Sequence, residues 1–195
     1  MRLDDPLVVA LPRGGVPVAG EIAERIDAPL EIFGVRKLSR PDSPEVGFGA
    51  IAEDGTRLID PESARLLRIR NGDLETIVGA EKIELRRRIE LYRRGLPMPD
   101  LHDRTLVVVD DGVATGLTDA VAIRALRRLG ASRIVLAVPV CSGAAVELLR
   151  DEADTLVTLR IPARFRGVGD SYLDFHQVSD EEVIDALAGP TRAAA

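Results

Sequence analysis

The stretch Thr105-Leu-Val-Val-Val-Asp-Asp-Gly-Val-Ala-Thr-Gly-Leu-Thr118 decides the fold of this 195-residue chain. Its four consecutive apolar residues, 106–109, are typical of a strand buried on both faces of a parallel sheet. Two adjacent acids, Asp110 and Asp111, follow where such a strand would emerge. A short loop, residues 112–116, then leads into a helical pattern. This order predicts a ligand site beyond the carboxyl end of a parallel strand.

The loop has the chemistry of a phosphate site. Its glycines let backbone N–H groups approach an anion closely, and Thr115 and Thr118 add hydroxyl donors. The helix that follows begins with its positive dipole end at the same place. Carboxylates repel phosphate, so Asp110 and Asp111 must face a neutral, hydroxyl-rich group or a metal. A ribose 5-phosphate meets both demands.

Other readings of this loop are possible. A Walker A loop requires a Gly-Lys-Ser/Thr ending, and Leu117 stands where the lysine would be. The dinucleotide fingerprint G-x-G-x-x-G is absent from the loop. An ordinary strand–turn–helix, with Asp-Asp-Gly as turn chemistry and Thr118 as the helix cap, stays open. The complete run in order favours a functional loop.

The segment closely resembles the phosphoribosyl-pyrophosphate (PRPP) binding motif of the type I phosphoribosyltransferases. The resemblance implies that Asp110 and Asp111 hold the two ribose hydroxyls and contribute to a Mg²⁺ site, directly or through PRPP or water. It implies that the 5′-phosphate is held by Gly112, Val113, Ala114, Thr115, Gly116, Leu117 and Thr118. Family members acting on 6-oxopurines carry an Asp where this chain has Ala114. The adenine-type members are therefore a closer local match.

Two further segments fall at the predicted ligand edge. Pro12-Arg13-Gly14-Gly15 ends the first predicted strand and resembles the pyrophosphate loop of the family, which often holds a cis peptide. Arg13 supplies a forked, permanently charged donor suited to phosphate, so it is a candidate catalytic group. Arg36-Lys37 is predicted to end the second strand, with Lys37 as a pyrophosphate contact.

The C-terminal tail resembles the small hood that covers the acceptor base in family members. Phe165, Tyr172 and Phe175 are candidates for stacking on that base, and packing within the hood is an equal alternative. The resemblance covers nearly the whole chain, through the segments Leu-Pro-Arg-Gly-Gly-Val-Pro-Val-Ala, Val-Arg-Lys-Leu and Gly-Ala-Ile-Ala-Glu-Asp-Gly. It predicts one domain over residues 1–195, with a core of about 1–160 and a hood of about 161–195.

Strands and helices alternate along the chain and predict an α/β fold with a doubly wound, mostly parallel sheet. A hairpin with its turn at Asp54-Gly55 interrupts this alternation. A helix opening at Pro61 is predicted to stop at Asn71-Gly72, and a second helix covers residues 73–94 with Arg93-Arg94 on its charged exposed face. The predicted strands are residues 7–11, 30–35, 48–52, 57–59, 106–109, 133–140 and 155–160, and the other predicted helices are residues 16–26, 119–129, 143–150 and 180–187.

The composition is that of a soluble globular protein, with 46% hydrophobic and 30% charged residues. The net charge of −6 disfavours nonspecific nucleic-acid binding. Cys141 has no partner for an internal disulfide, and His102 and His176 lie too far apart in sequence to suggest a metal cluster. With no leader or membrane-length apolar run, a cytoplasmic protein without membrane contacts is expected.

The resemblance implies Mg²⁺-dependent transfer of the 5-phosphoribosyl group from PRPP to a small-molecule nitrogen acceptor, such as a nucleobase, with release of pyrophosphate. Asp110, Asp111 and Arg13 would carry the chemistry, and a homodimer is expected by analogy. Two alternatives stay open: a non-catalytic PRPP-binding protein that regulates a partner, and a hydrolase acting on a ribose phosphate.

Overall fold

Strands and helices alternate along most of the chain, as predicted. The computed structural model describes residues 3–189. In chain order its elements are β1 (Pro6–Ala10), α1 (Gly15–Ile26), β2 (Leu30–Ile32), β3 (Val35–Arg40), β4 (Ser43–Ala52), β5 (Arg57–Ile59), α2 (Pro61–Leu66), α3 (Asn71–Arg93), β6 (Thr105–Val109), α4 (Leu117–Arg128), β7 (Arg133–Val140), α5 (Gly143–Leu149), β8 (Thr155–Arg160) and α6 (Asp180–Leu187). A single 3₁₀ turn, Gly169–Ser171, precedes α6.

A five-stranded sheet in the order β2-β1-β6-β7-β8 forms the centre of the molecule, and every neighbouring pair is parallel. Alternate residues of the central strands point to opposite faces. Leu7 and Val9 pack in one core cluster with α4 and α5, whereas Val8 and Ala10 pack in another with α1 and α6. The sheet is therefore buried on both sides, which confirms the doubly wound prediction.

A second, three-stranded antiparallel sheet, β3-β4-β5, packs against α2 and α3 around Leu38, Phe48 and Leu85. It contains the predicted hairpin, and Gly55 takes φ +89° at the turn. The prediction of a single strand over residues 30–35 is wrong. Gly34 separates β2 of the parallel sheet from β3 of the antiparallel one, so an apolar run that looks continuous in sequence serves two sheets.

Two predictions about the long helices also fail. Asn71 begins α3 instead of ending the preceding helix, because Asp73 accepts a hydrogen bond from the Arg70 N–H at 3.2 Å and caps the new helix. Arg93 is buried and not on the exposed face. It forms ion pairs with Glu31 at 3.1 Å and Glu53 at 2.6 Å, and so ties the end of α3 to β2 and the hairpin.

The C-terminal segment has two parts. Residues 161–177 run irregularly beyond β8, and α6 then packs on α1 through the buried Val183 and Leu187. The predicted capping box at the start of α6 is present, with Ser179 and Glu182 bonded reciprocally. Residues 190–195 of the predicted hood lie outside the described residues. No helix within residues 3–189 combines the length and apolar character needed to cross a membrane.

Candidate active site

The loops that follow β1 and β6 begin side by side, because these strands are neighbours in the sheet. Ala10 pairs with Val109, and the Leu11 N–H donates to the Val109 carbonyl at 2.8 Å. Pro12-Arg13-Gly14-Gly15 therefore leaves the sheet next to Asp110 and Asp111. The peptide bond between Pro12 and Arg13 is cis. The structure thus brings together two segments that are about a hundred residues apart in sequence.

The contact between the two loops leaves no room for a side chain at either glycine. A Cβ atom added to Gly14 would lie 2.0 Å from Asp111 Oδ2 and 2.5 Å from its Cγ. A Cβ atom on Gly15 would lie 2.5 Å from the Val109 carbonyl oxygen. The two glycines are thus required by close approach to the acids and to the edge of the sheet.

The loop after the acids is held by the end of β7. The Val113 N–H donates to the Val140 carbonyl at 2.9 Å, and the Ser142 hydroxyl donates to the Ala114 carbonyl at 2.5 Å. Gly116 takes φ +79° at the N-terminus of α4, a conformation that favours glycine. The loop and the first turn of α4 therefore form a fixed concave wall with the positive end of a helix dipole behind it.

That wall borders a cavity of about 210 Å³. Its lining comprises Lys37, Glu45, Gly47, Gly49, Gly112, Ala114, Thr115, Gly116, Leu117, Thr118 and Asp119. Lys37 lies within β3, so the prediction that it ends a strand of the parallel sheet is wrong. It still lines this cavity, because the antiparallel sheet folds over the loop. Its ammonium group donates to the Glu45 carbonyl at 3.3 Å.

Asp110, Asp111 and Asp119 lie close enough for their charges to interact, and Asp119 lines the cavity. Burial, reinforced by the charges of Asp119 and Asp111, raises the pKa of Asp110 well above its ordinary value. Burial likewise raises the pKa of Asp111, whose backbone N–H donates to Asp110 Oδ1 at 2.8 Å. Burial therefore favours the protonated, neutral form of each of these carboxyl groups.

Asp119 was missed by the sequence reasoning, which treated it only as the start of a helix. It is 1% exposed, and burial raises its pKa to about 7. Its Oδ2 accepts a weak hydrogen bond from Thr118 at 3.4 Å, and its Oδ1 has no partner among residues 3–189. Its spacing from Ile123 and Leu126 puts it on the buried face of α4, a signal that the sequence does contain.

Arg13 has an acidic partner that the sequence did not indicate. Its guanidinium lies 3.4 Å from Asp180 Oδ1, at the start of α6. The Tyr92 hydroxyl donates to the same oxygen at 2.5 Å, and Arg87 lies 3.7 Å from the other carboxylate oxygen. The hydrogen bond from Tyr92, followed by that from Arg13, lowers the pKa of Asp180. This carboxylate therefore stays charged and orients Arg13.

The tail aromatics lie in different places. The Tyr172 hydroxyl donates to the Asp111 carbonyl at 2.5 Å, and the Phe175 ring lies 5.1 Å from the Tyr172 ring. Phe165 lines a separate cavity formed by the start of the tail. Tyr172 thus fastens the C-terminal segment to Asp111, and Phe175 packs on Tyr172. Stacking of these rings on an acceptor stays a prediction.

Residues 2–175 match the family model of the phosphoribosyl transferase domain. The chain belongs to the phosphoribosyltransferase family. This membership and the α/β fold agree with the expectations drawn from the sequence. The roles of the individual site residues stay predictions.

Relatives of this phosphoribosyltransferase chain agree with the assignment. The chain is 43% identical over 181 residues to "Putative phosphoribosyl transferase Rv0571c" of Mycobacterium tuberculosis, with 93% of this chain and 41% of that protein aligned. It spans less than half the length of that relative. The crystal structure of TT1426 from Thermus thermophilus superposes with a TM-score of 0.77 at 41% identity, over 95% of this chain and 88% of that one.

Proposed function

We propose that this protein transfers the 5-phosphoribosyl group of PRPP to a nitrogen acceptor and releases pyrophosphate. The close approach of Gly14 to Asp111 carries the proposal. It supports one continuous site, in which an anion-binding loop, two acids and a second anion-binding loop follow one another along the sheet edge. A sugar with a phosphate on one side and a pyrophosphate on the other has the matching order of groups.

The 5′-phosphate end of the donor would lie in the 210 Å³ cavity beside α4. Thr115 and Thr118 offer hydroxyl donors there, and Lys37 adds a positive charge from the opposite wall. The helix N-terminus supplies oriented backbone N–H groups. These donors would offset the nearby carboxyl groups of Glu45 and Asp119, of which Asp119 has a pKa raised to about 7, and would favour an anionic phosphate.

The ribose and the pyrophosphate would lie on either side of the acids. Asp110 and Asp111 would accept hydrogen bonds from the two ribose hydroxyls, and their negative charge would favour positive charge developing at the anomeric carbon. Arg13 would lie at the leaving pyrophosphate, with Gly14 and Gly15 letting the backbone approach it. Asp180 acts as a positioning residue because it holds Arg13 in place.

A magnesium ion fits this arrangement only together with the donor. No group of three or more His, Cys, Asp or Glu side chains within residues 3–189 could hold a metal by itself. Mg²⁺ commonly uses one or two carboxylates plus substrate phosphates and water. Asp110 and Asp111, which form no ion pair within residues 3–189, could supply those carboxylates. When bound, the ion would neutralise charge on the pyrophosphate.

Replacing Asp111 by asparagine tests this assignment. The Asp111→Asn variant keeps the shape of the side chain and removes its charge, so we expect PRPP affinity in the presence of Mg²⁺ to fall about 10-fold. Isothermal titration calorimetry measures the affinity, and a pyrophosphate-release assay measures turnover. Asp151→Asn, which removes an exposed charge beyond α5, is the matched control. Equal PRPP affinity in Asp111→Asn and the unchanged protein would remove the basis of the proposal.

The same pair of measurements separates a transferase from a regulatory PRPP-binding protein. A transferase releases pyrophosphate when PRPP, Mg²⁺ and an acceptor are all present. A regulatory protein binds PRPP with Mg²⁺ and releases none with any acceptor. Breakdown of PRPP without an acceptor would instead indicate a hydrolase.

The hydrogen bond from Tyr172 to the acidic pair gives a further prediction. Burial raises the pKa of Tyr172 to about 12, so the hydroxyl stays a donor throughout the neutral range. Tyr172→Phe removes one hydrogen bond to the Asp111 carbonyl, worth about 1 kcal/mol. We expect PRPP affinity, measured by calorimetry, to fall about 5-fold. Lower stability with unchanged PRPP affinity would instead limit Tyr172 to packing within the hood.

A further inference from the structure

A second cavity lies at the same edge of the sheet, on the far side of the acids from Arg13. Its volume is about 270 Å³. Its lining includes Arg160, Arg164, Phe165, Arg166, Asp170 and Ser171. Arg160 ends β8, and its carbonyl accepts a hydrogen bond from the Cys141 N–H at 3.0 Å. Cys141 in turn pairs with Val113 of the loop that follows the acids.

The hood connects this cavity to the acids directly. A Cβ atom on Gly112 would lie 2.6 Å from a methyl group of Val168, and Tyr172 is bonded to the Asp111 carbonyl. Gly167 and Ser171 line the cavity and are the sequence neighbours of Val168 and Tyr172. The segment of residues 167–172 therefore borders the acidic pair and the cavity at once.

The three arginines of this cavity are exposed to solvent. Within residues 3–189, the guanidinium groups of Arg160, Arg164 and Arg166 form no ion pair and no hydrogen bond, although Asp170 is nearby. By contrast, Arg13, Arg36, Arg93 and Arg124 each have an acidic partner. Three cations and one acid at one concavity give a positive potential that an anion relieves.

The strand order separates this cavity from the two loops proposed for the anionic ends of PRPP. In the strand order β2-β1-β6-β7-β8, the pyrophosphate loop follows β1, on one side of the acids, and the phosphate loop follows β6 itself. Arg160 stands at the end of β8, on the opposite side from β1. The remaining reactant in a phosphoribosyl transfer is the acceptor.

We propose that this cavity binds the acceptor and selects one that carries an anionic group beside its reacting nitrogen. Guanidinium forks bind carboxylate or phosphate oxygens in pairs, and the half-buried Phe165 offers a flat face for a ring. The acceptor nitrogen uses its lone pair to form the bond to the anomeric carbon. The carbon–oxygen bond to pyrophosphate breaks and its electron pair leaves with pyrophosphate. A proton on the nitrogen passes to pyrophosphate or water.

This inference rests on the proposed function, and the experiment separates the two. Calorimetry first measures PRPP binding with Mg²⁺, and its absence counts against the proposed function. Pyrophosphate release is then measured with three acceptor classes: neutral bases (adenine and uracil), pyridine carboxylates, and phosphoethanolamine as a phosphorylated amine. We expect release only with an anionic class, and the carboxylate and phosphate arms identify which anion is recognised.

The variants Arg164→Gln and Arg166→Gln test the cavity itself. We expect each to raise the KM of the anionic acceptor about 10-fold and to leave the KM of PRPP within about 2-fold. Arg150→Gln, an exposed arginine beyond α5, removes the same charge elsewhere and should change neither constant. Turnover of neutral bases that the two variants do not alter would overturn the inference.

If no acceptor in the panel is turned over, binding decides the question. Pyridine-3-carboxylate and phosphoethanolamine are then titrated into the protein saturated with PRPP and Mg²⁺. Binding that is weakened about 10-fold in Arg164→Gln and Arg166→Gln, and not in Arg150→Gln, supports the inference. Failure of both probes to bind overturns it.

Discussion

Replacing Gly14 by alanine is expected to lower PRPP affinity and turnover roughly 100-fold without unfolding the protein. The added Cβ would lie 2.0 Å from Asp111 Oδ2, so either the acid or the whole loop must move. Gly14 has φ −59° and ψ −34°, which alanine adopts without strain. The expected effect is therefore steric: the added methyl group would push apart the two loops whose contact defines the proposed site.

Gly20→Ala is the matched control for this substitution. Gly20 lies within α1, the helix that Gly14 precedes, and a Cβ atom there would meet nothing within 4 Å. Alanine in a helix interior is favoured over glycine by about 1 kcal/mol, so this variant should be equally active and slightly more stable. Calorimetry with PRPP and Mg²⁺ and thermal unfolding compare the variants. Full PRPP affinity in Gly14→Ala would show that its contact with Asp111 is not needed for binding.

The second large effect concerns pH and the buried Asp119. Burial raises the pKa of Asp119 from 3.8 to about 7, so the folded protein keeps this proton at a pH where the unfolded chain has lost it. Stability must then fall as the pH rises through this interval. The loss between about pH 5 and about pH 8 is roughly 2 to 3 kcal/mol, at about 1.4 kcal/mol per pH unit. This loss of stability is complete once Asp119 is ionised in the folded protein.

The groups facing Asp119 determine the sign of this effect. The charge of Asp111 disfavours ionisation of Asp119, and the buried Cys141 thiol, whose pKa is raised to about 11, stays neutral. Lys37 is the one cation among the residues that line the adjoining cavity. The N-terminus of α4 favours the ionised carboxylate, but burial outweighs it.

The Asp119→Asn variant tests this directly. It cannot ionise, so its free energy of unfolding should decline less between the two pH values, by the same roughly 2 to 3 kcal/mol. Some decline remains because Asp110 still titrates. Urea unfolding at both pH values gives the measurement, and Asp151→Asn serves as the control for loss of a surface charge. An identical decline in Asp119→Asn and the unchanged protein would contradict the prediction.

The residues that the sequence singled out differ in how they were recognised. Asp110, Asp111 and the loop to Thr118 were selected as candidates because strand, acids, glycines and helix follow one another in a single short run. Lys37 was selected on the wrong element. It lines the cavity because the antiparallel sheet, which the sequence showed only as a hairpin, folds over the phosphate loop.

Other contacts in the site join residues that are far apart in sequence, so no local sequence pattern predicts them. Asp180 meets Arg13 across 167 residues, and Tyr172 meets Asp111 across 61. Arg93 reads as part of a charged helix face, yet it is buried between Glu31 and Glu53. Helical periodicity assigns a charged residue to the exposed face of its helix. It cannot show that the residue is buried when the oppositely charged partner lies on a distant element.

The sequence by itself determined the parallel sheet, the alternation of strands and helices along the chain, and the acidic pair followed by a glycine loop. These depend on short-range patterns: apolar runs that must be buried, and glycines that permit close backbone approach. Only the tertiary structure decided that Gly14 abuts Asp111, that Asp119 is buried without a full set of partners, and that three arginines share one cavity. Such features depend on which surfaces meet when the elements pack, and residues adjacent in space then need no relation in sequence.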